Sequence, residues 1–398
     1  MGDELASVLS FRTLKKAPVK NKRVLIRCGL DVPIFKGEVT SDARLNACAD
    51  SIKYLITKGA SQIVICGHLG RPRYQEPQFS LKPIVEVLEQ ILKRKVLFVT
   101  SYEEFTTLSK REQKSRVVLL ENLRYDSGEK ENTAEFAKKL AQFGDIYVNE
   151  AFSVAHRQHA SVDAITRYLP GYIGLHFEHE LRCLALAKDD VKRPFVVILG
   201  FAKIKDKINI LKEILKSADK VLVGGAVAFT FLKAEGFEVG KSLVEEDQLD
   251  IARTLLNQYK NKIILPIDVM VAREVTATVQ HAVPVTQMSS MYAGYDIGPK
   301  TIELFKQEIS DAKTVFWNGP LGVFEFPPFD TATNQISEVL ACAKMTSIIG
   351  GGDTASAIEH SGNIKYMTHV STGGGASLAF FENKPLAAIK AIYKQIRD

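Results

Sequence analysis

Basic and imidazole side chains recur behind apolar runs in the first half of this 398-residue chain. Gly67-His68-Leu-Gly-Arg71-Pro72 follows a run at 62–66, and Glu121-Asn-Leu-Arg124 follows one at 116–120. The segment from Glu150 to His159, which includes His156 and Arg157, follows a third at 145–149. Arg44 stands shortly after the turn at Lys36-Gly37. Each of these alone reads as a solvated charge or a structural histidine. Their recurrence changes that reading, because loops at the carboxyl ends of parallel strands converge on one crevice. Several cations in one crevice repel one another unless an anion lies among them. Arginine suits bidentate capture of phosphate and carboxylate, so the first half reads as a polyanion site.

The second half carries a different chemistry. Its glycine clusters are Gly224-Gly225-Ala226, Gly350-Gly351-Gly352-Asp353-Thr354 and Gly373-Gly374-Gly375-Ala-Ser377. Each follows an apolar run and precedes a helix-length pattern. Glycine removes side chains that would block a phosphate, and the following helix aims free N–H groups at the anion. One such cluster is an ordinary turn; three in one half point to a phosphate cradle. Gly200-Phe-Ala-Lys203-Ile-Lys205-Asp-Lys207 places lysines where a developing phosphoryl charge could be met. Asn318 and Glu325 belong beside the same crevice, although a tight Asn-Gly-Pro turn accounts for much of that segment. Asp353 fits either a Mg²⁺ ligand or a helix N-cap. The cradle is not a P-loop: Gly236 and Gly240 enclose three residues where the Walker pattern needs four. No Gly-x-Gly-x-x-Gly opens a helix after the first strand, which argues against a dinucleotide site.

The elements that must position these residues alternate along the whole chain. Strands are expected at 23–28, 62–66, 95–99, 116–120 and 145–149, then at 195–199, 220–223, 263–266, 314–317, 346–349 and 368–371. Helical patterns lie between them, for example at 81–92, 133–142, 206–216 and 247–259. The fold class is therefore α/β: two similar doubly wound domains, each a mainly parallel sheet flanked by helices, joined by a helical hinge. A helix at 178–188 and a polar stretch to Pro194 form the seam. The expected division is 1–177, a hinge at 178–194, 195–380, and a C-terminal segment at 381–398. A chain of this length exceeds one hydrophobic core. Its 46% hydrophobic and 25% charged residues are those of a globular protein. No apolar run approaches the ~20 residues that cross a bilayer, and no signal peptide is legible at the start. The five cysteines are scattered without a Cys-x-x-Cys pair, which fits buried thiols in a cytoplasmic protein. A net charge of +6 without basic, aromatic-interleaved runs gives no reason to expect nucleic acid.

Taken in order, these motifs resemble the phosphoglycerate kinase family from about residue 22 to residue 378. Asp296-Ile-Gly-Pro-Lys-Thr301, Trp317-Asn-Gly-Pro320 and Gly322-Val-Phe-Glu325 add to the match. The resemblance implies reversible phosphoryl transfer between 1,3-bisphosphoglycerate and Mg-ADP, giving 3-phosphoglycerate and ATP by in-line transfer after hinge closure. It implies that Arg44, His68, Arg71, Arg124 and Arg157 hold the phosphoglycerate in the first domain, with Arg44 meeting the transferring group. In the second domain Lys203 meets the same group from the other side, and Lys207 contacts nucleotide phosphates. Gly352 and Gly374 offer N–H groups to the phosphoryl in flight, and Asp353 holds Mg²⁺ with Thr354 nearby. Gly224, Gly225, Gly350, Gly351 and Asn318 position the nucleotide, and Glu325 contacts its ribose. The acceptor carboxylate is ionised at neutral pH, so no general base is required. A monomer acting on small molecules is the family expectation, with residues 385–397 packing back on the first domain.

The chain departs from the family pattern at a few positions. The first strand usually ends Arg-Val-Asp-Phe-Asn-Val-Pro; here it reads Arg27-Cys-Gly29-Leu-Asp31-Val-Pro33. Residues 29 and 31 lie on one side of an extended strand. Asp31 is therefore expected to take over part of the lost aspartate's bond to the substrate hydroxyl, and to weaken binding of the substrate carboxylate. Phe201 replaces a glycine of the usual Gly-Gly-Ala-Lys, and Ala226 the third glycine of its cluster. Glu150 stands for Asp and Tyr292 for Trp. Gly29, Asp31 and Phe201 leave two rival readings: the same scaffold with another anionic acid, or a binding protein without turnover.

Overall fold

The computed structural model describes residues 2–107, 116–189, 191–277 and 279–397. Met1, Asp190 and Asp398, which fall in the expected segments 1–177, 178–194 and 381–398, lie outside these residues. The chain packs as two compact units, Met1–Leu181 with Asn383–Asp398, and Arg182–Glu382. It therefore passes between them twice.

The first unit is built on six parallel strands in the order Leu97–Val99, Val117–Leu120, Gln62–Cys66, Arg23–Arg27, Ile146–Asn149 and Gly171–Ile173. Arg-Val-Leu-Ile-Arg and Gln-Ile-Val-Ile-Cys are near-continuous apolar runs because helices cover both faces of the sheet. Val24, Ile26, Ile63 and Ile65 pack with Ile52 and Leu55 of helix Ala43–Thr57. Leu25, Val64 and Cys66 enter a second core with Leu140, Phe143 and Tyr147. Each fully buried Val, Leu or Ile contributes about 1.5–3 kcal/mol relative to exposure. The chain direction across the sheet reverses at Arg23–Arg27, which pairs with Gln62–Cys66 on one side and Ile146–Asn149 on the other. Its carboxyl end, Cys28 to Asp31, is thus a topological switch point, where α/β sheets bind ligands. Helix Ala387–Arg397 belongs to this unit: Gln395 accepts from Gly171 N at 2.7 Å and donates to Leu169 O at 2.8 Å.

The second unit repeats the plan with strands Ile263–Ile264, Lys220–Val223, Phe195–Leu199, Thr314–Asn318, Thr346–Gly350 and His369–Val370, again all parallel. Its switch point lies between Phe195–Leu199 and Thr314–Asn318. A three-stranded antiparallel sheet, His281–Pro284, Asp268–Ala272 and Ala293–Ile297, is added to it. Tyr292 packs there against the core of Phe229, Val269 and Val271, with its ring edge-on to His281.

Strand and helix positions follow the apolar runs, with ends shifted by a few residues. Three features escape the pattern. Gly171–Ile173 is only three residues long. The hairpin Ile34–Phe35 and Glu38–Val39 is mostly exposed. The antiparallel sheet holds an exposed strand and an irregularity at Met270/Val271, so neither shows clean alternation. The connecting helix runs Leu175–Ala185, earlier than the expected 178–188, because Glu150 caps it. The Glu150 carboxylate accepts from His176 N at 3.1 Å and Phe177 N at 3.2 Å, and burial pushes its pKa up to about 8.

Close backbone approach fixes the second switch point. A Cβ on Gly200 would lie 1.9 Å from Pro320 O, and one on Gly225, at φ +58°, would lie 2.2 Å from Gly200 O. Both obstacles are main chain, so no rotamer change relieves them. Gly200→Ala is therefore expected to lower stability by at least about 1–3 kcal/mol in urea unfolding. An unchanged midpoint would contradict the close approach.

Candidate active site

In the first unit the loops after the strands are tied into one surface. Asn122 donates to Leu69 O at 2.8 Å and Phe79 O at 2.9 Å, and Leu123 N donates to Gly67 O at 3.0 Å. Arg124 donates to Gly70 O at 2.6 Å. Asp31 joins the same loop by accepting from Gly70 N at 2.8 Å. Its other carboxylate oxygen is 3.7 Å from Arg44 Nη1 and 3.8 Å from His68 Nε2. An acidic side chain at 31 thus stands among the cations as an internal counter-charge.

Behind this layer lies a charged anchor. Arg27, 0% exposed, donates to His68 Nδ1 at 2.8 Å and to Ser161 Oγ at 3.4 Å. Ser161 in turn donates to the buried Glu129 carboxylate from Oγ at 2.6 Å and from N at 2.9 Å. The two buried charges are linked through one hydroxyl, as buried charges require. A guanidinium can only donate, so His68 Nδ1 accepts and Nε2 carries the proton of the neutral ring. That N–H faces Asp31.

Crowding leaves an electrostatic signature. His68 is pushed well below the usual imidazole range, by burial first and then by Arg27, Arg124 and Arg157. His159 falls to about 4 for the same reasons. Arg124 is drawn down to about 10, by desolvation and then by Arg157 and Arg27. Arg157 is lowered too, with Arg71 the largest charge acting on it after burial. Arg124 Nε and His159 Nδ1 are buried without a hydrogen-bond partner among the described residues. Of the five residues expected from sequence, Arg124 and Arg157 act on His68 and Arg71 acts on Arg157, while the Asp31 and Glu129 charges partly oppose them.

The second unit holds a cleft of about 440 Å³ at its switch point. Phe201, Lys203, Lys207, Gly225 and Ala226 are among its lining residues. Asn318, Glu325, Gly351, Asp353 and Thr354 line it as well. Asn318 is buried and fixed: it donates to Gly350 O at 2.8 Å and accepts from Lys207 Nζ at 3.0 Å. Thr354 Oγ1 donates to Gly350 O at 2.8 Å and accepts from Gly319 N at 2.7 Å, so its hydroxyl holds two turns together. Gly351 is the cap of helix Gly352–His360, which places Asp353 in the exposed first turn rather than at the cap. Gly224 and Gly350 are buried and do not line the cleft. Gly352 and Gly374 also fall outside its lining, each with open space where a Cβ would project.

Sequence reasoning missed Arg27, Ser161 and Glu129. Arg27 carries a signal, a charge at the end of an otherwise apolar strand before Cys28. Glu129 carries none, since it lies in the charged run Ser-Gly-Glu-Lys-Glu. At Gly29 a Cβ would meet nothing within 4 Å, so the position has room for a side chain.

A family profile described as Phosphoglycerate kinase matches residues 14–384. The phosphoglycerate kinase of Finegoldia magna is 43% identical over 393 residues, covering 96% of this chain and 99% of that protein. That of Thermosipho africanus is 43% identical over 391 residues, covering 96% and 97%. Among solved structures, phosphoglycerate kinase from Coxiella burnetii superposes with a TM-score of 0.89 at 35% identity, over 98% of this chain and 100% of that one. The enzyme from Pyrococcus horikoshii gives 0.82 at 30% identity, over 97% and 99%.

The depressed imidazoles set a pH dependence. An unfolded histidine titrates near 6.5 and His159 in the fold near 4, so the unfolded state binds more protons between these values. The His159 contribution to stability is complete above about pH 6.5 and is lost as pH falls toward 4. His159→Asn should flatten the slope of unfolding free energy across that window. An identical slope in the variant would show that His159 is not held neutral by its neighbours.

Proposed function

The chain belongs to the phosphoglycerate kinase family, and we propose how its two units divide the family's reaction. That reaction is reversible phosphoryl transfer between 1,3-bisphosphoglycerate and Mg-ADP, giving 3-phosphoglycerate and ATP, with a carboxyl group as acceptor. The first unit holds the phosphoglycerate, and the observation that carries this reading is its under-neutralised cation cluster. Arg71, Arg124 and Arg157 take the phosphate and carboxylate, His68 donates from Nε2, and Arg44 meets the transferring group. A polyanion there offsets mutual repulsion and shifts the depressed pKa values upward.

The second unit holds the nucleotide in its cleft. Lys207 and the glycine turns take the phosphates, Glu325 the ribose, and Lys203 the phosphoryl group as it moves. The exposed first-turn carboxylate of Asp353 lines that cleft and fits Mg²⁺, which takes only one or two carboxylates when phosphates supply the rest. Bound there, the ion would neutralise phosphate charge. Gly352 and Gly374 stand open at the glycine turns, where their N–H groups can meet a developing charge without side-chain obstruction. No base is needed, because the acceptor carboxylate is already ionised. In-line transfer then requires the two units to close during turnover, with the two chain crossings as the flexing points. The enzyme is read as a cytoplasmic monomer, to which four buried thiols and no strong nucleic-acid signature are suited. Among the described residues no helix is long and apolar enough to cross a membrane.

A coupled assay of ATP formation from 1,3-bisphosphoglycerate and Mg-ADP tests this reading: turnover supports it, and none from folded protein sinks it. Arg44→Ala should cut kcat by about 10²–10³-fold, the range for removing one transition-state donor. Gly29→Asp combined with Asp31→Asn should lower KM for 3-phosphoglycerate, since position 29 has room and Asp31 stands where the carboxylate would be drawn. A KM that stays the same or rises would count against Asp31 as a competitor.

A further inference from the structure

Phe201 is the bulky departure from the family's glycine in the nucleotide cleft, and the structure gives it a task. Its backbone is pinned on both sides. A Cβ on Gly319 would lie 2.3 Å from Phe201 N, and Phe201 O accepts from Val227 N at 3.1 Å. The residue is only 6% exposed, yet it lines the cleft. Lys207 Nζ lies 5.0 Å from the centre of its ring and 3.0 Å from Asn318 Oδ1. Asn318 is itself held by Gly350 O. The ammonium is thus located by an aromatic face and a fixed amide oxygen, both on rigid main chain.

We propose that Phe201 is a positioning residue for the nucleotide: its ring pre-sets Lys207 at the phosphate end of the cleft. The inference rests on the reading of that cleft as the nucleotide site. A lysine on four rotatable bonds is a mobile charge, and holding it before the ligand arrives removes an ordering cost from binding. An aromatic face attracts the cation through its quadrupole without occupying a particular N–H. The ring attracts the ammonium without using an N–H, so it can hold Lys207 while the N–H donors serve oxygen acceptors. Bulk alone does not do this, because an aliphatic side chain of similar size lacks the quadrupole. In this chain a ring thus supplies order at Lys207 that the family's usual glycine has no side chain to give.

The test is a double-mutant cycle on the full chain, read by calorimetric titration with Mg-ADP and by steady-state kinetics. Phe201→Leu should weaken Mg-ADP binding roughly 2- to 30-fold, the fold-change of one ring–cation contact. In a Lys207→Ala background the same change should have almost no effect. Phe201→Tyr, which keeps the ring face, should retain the wild-type affinity. KM for 3-phosphoglycerate should not move in either Phe201 variant. Equal losses in both backgrounds, tighter binding by Phe201→Leu, or a Phe201→Tyr variant as weak as Phe201→Leu would each overturn the proposal. Wild-type protein that binds no Mg-ADP would overturn the cleft reading as well, which separates that failure from an additive cycle on a binding protein. Should Phe201→Leu not fold, Phe201→Met provides the same aliphatic comparison.

Discussion

Repulsion among cations at the carboxyl end of one parallel sheet is the constraint on which the first unit depends. The strand order delivers Arg124 and Arg157 to neighbouring loops near the buried Arg27, where their like charges repel. Arg27 is tolerated at zero exposure because Ser161 links it to Glu129 and because His68 Nδ1 and Cys28 O accept its other bonds. That buried set holds the imidazole in one tautomer and backs the cations that face outward. Asp31 supplies part of the missing negative charge from within. On the proposed reading, what remains unmatched is the attraction offered to a small polyanion.

On the proposed reading, the second unit handles anions by other means. Its cleft has few cations, Lys203 and Lys207 among them, and relies on main chain brought very close by Gly200, Gly225 and Gly319. Asn318 and Thr354 stitch the turns around Gly350 so that the N–H groups keep their directions. A cluster of charges suits a compact phosphorylated acid. A pre-formed set of dipoles and turns suits a longer ligand whose phosphates vary in charge during the reaction.

The parallel sheets were legible because both faces are covered, so their strands read as unbroken apolar runs such as Phe195–Leu199. The cationic loops were legible because parallel strands all deliver their loops to one edge. Arg27 and Glu129 were not, since burial of a charge depends on partners distant in sequence, such as Ser161, 134 residues from Arg27 and 32 from Glu129. The antiparallel sheet was hidden by its short, partly exposed strands. Asp353 was ambiguous between ligand and cap until the cap fell to Gly351. From sequence alone Phe201 was only a bulky replacement for the family's glycine, with no task attached. The proximity of Lys207 to its ring became visible only when the helical turn after Ile204 brought the two together.

The central claim, that burial together with the neighbouring guanidinium charges holds the imidazoles neutral, is tested most directly by NMR titration of His68 and His159. The account predicts that both titrate well below 6.5 in the free protein and move upward when 3-phosphoglycerate saturates the first unit. Imidazoles that titrate near 6.5 in the free protein, or that ignore the ligand, would contradict it.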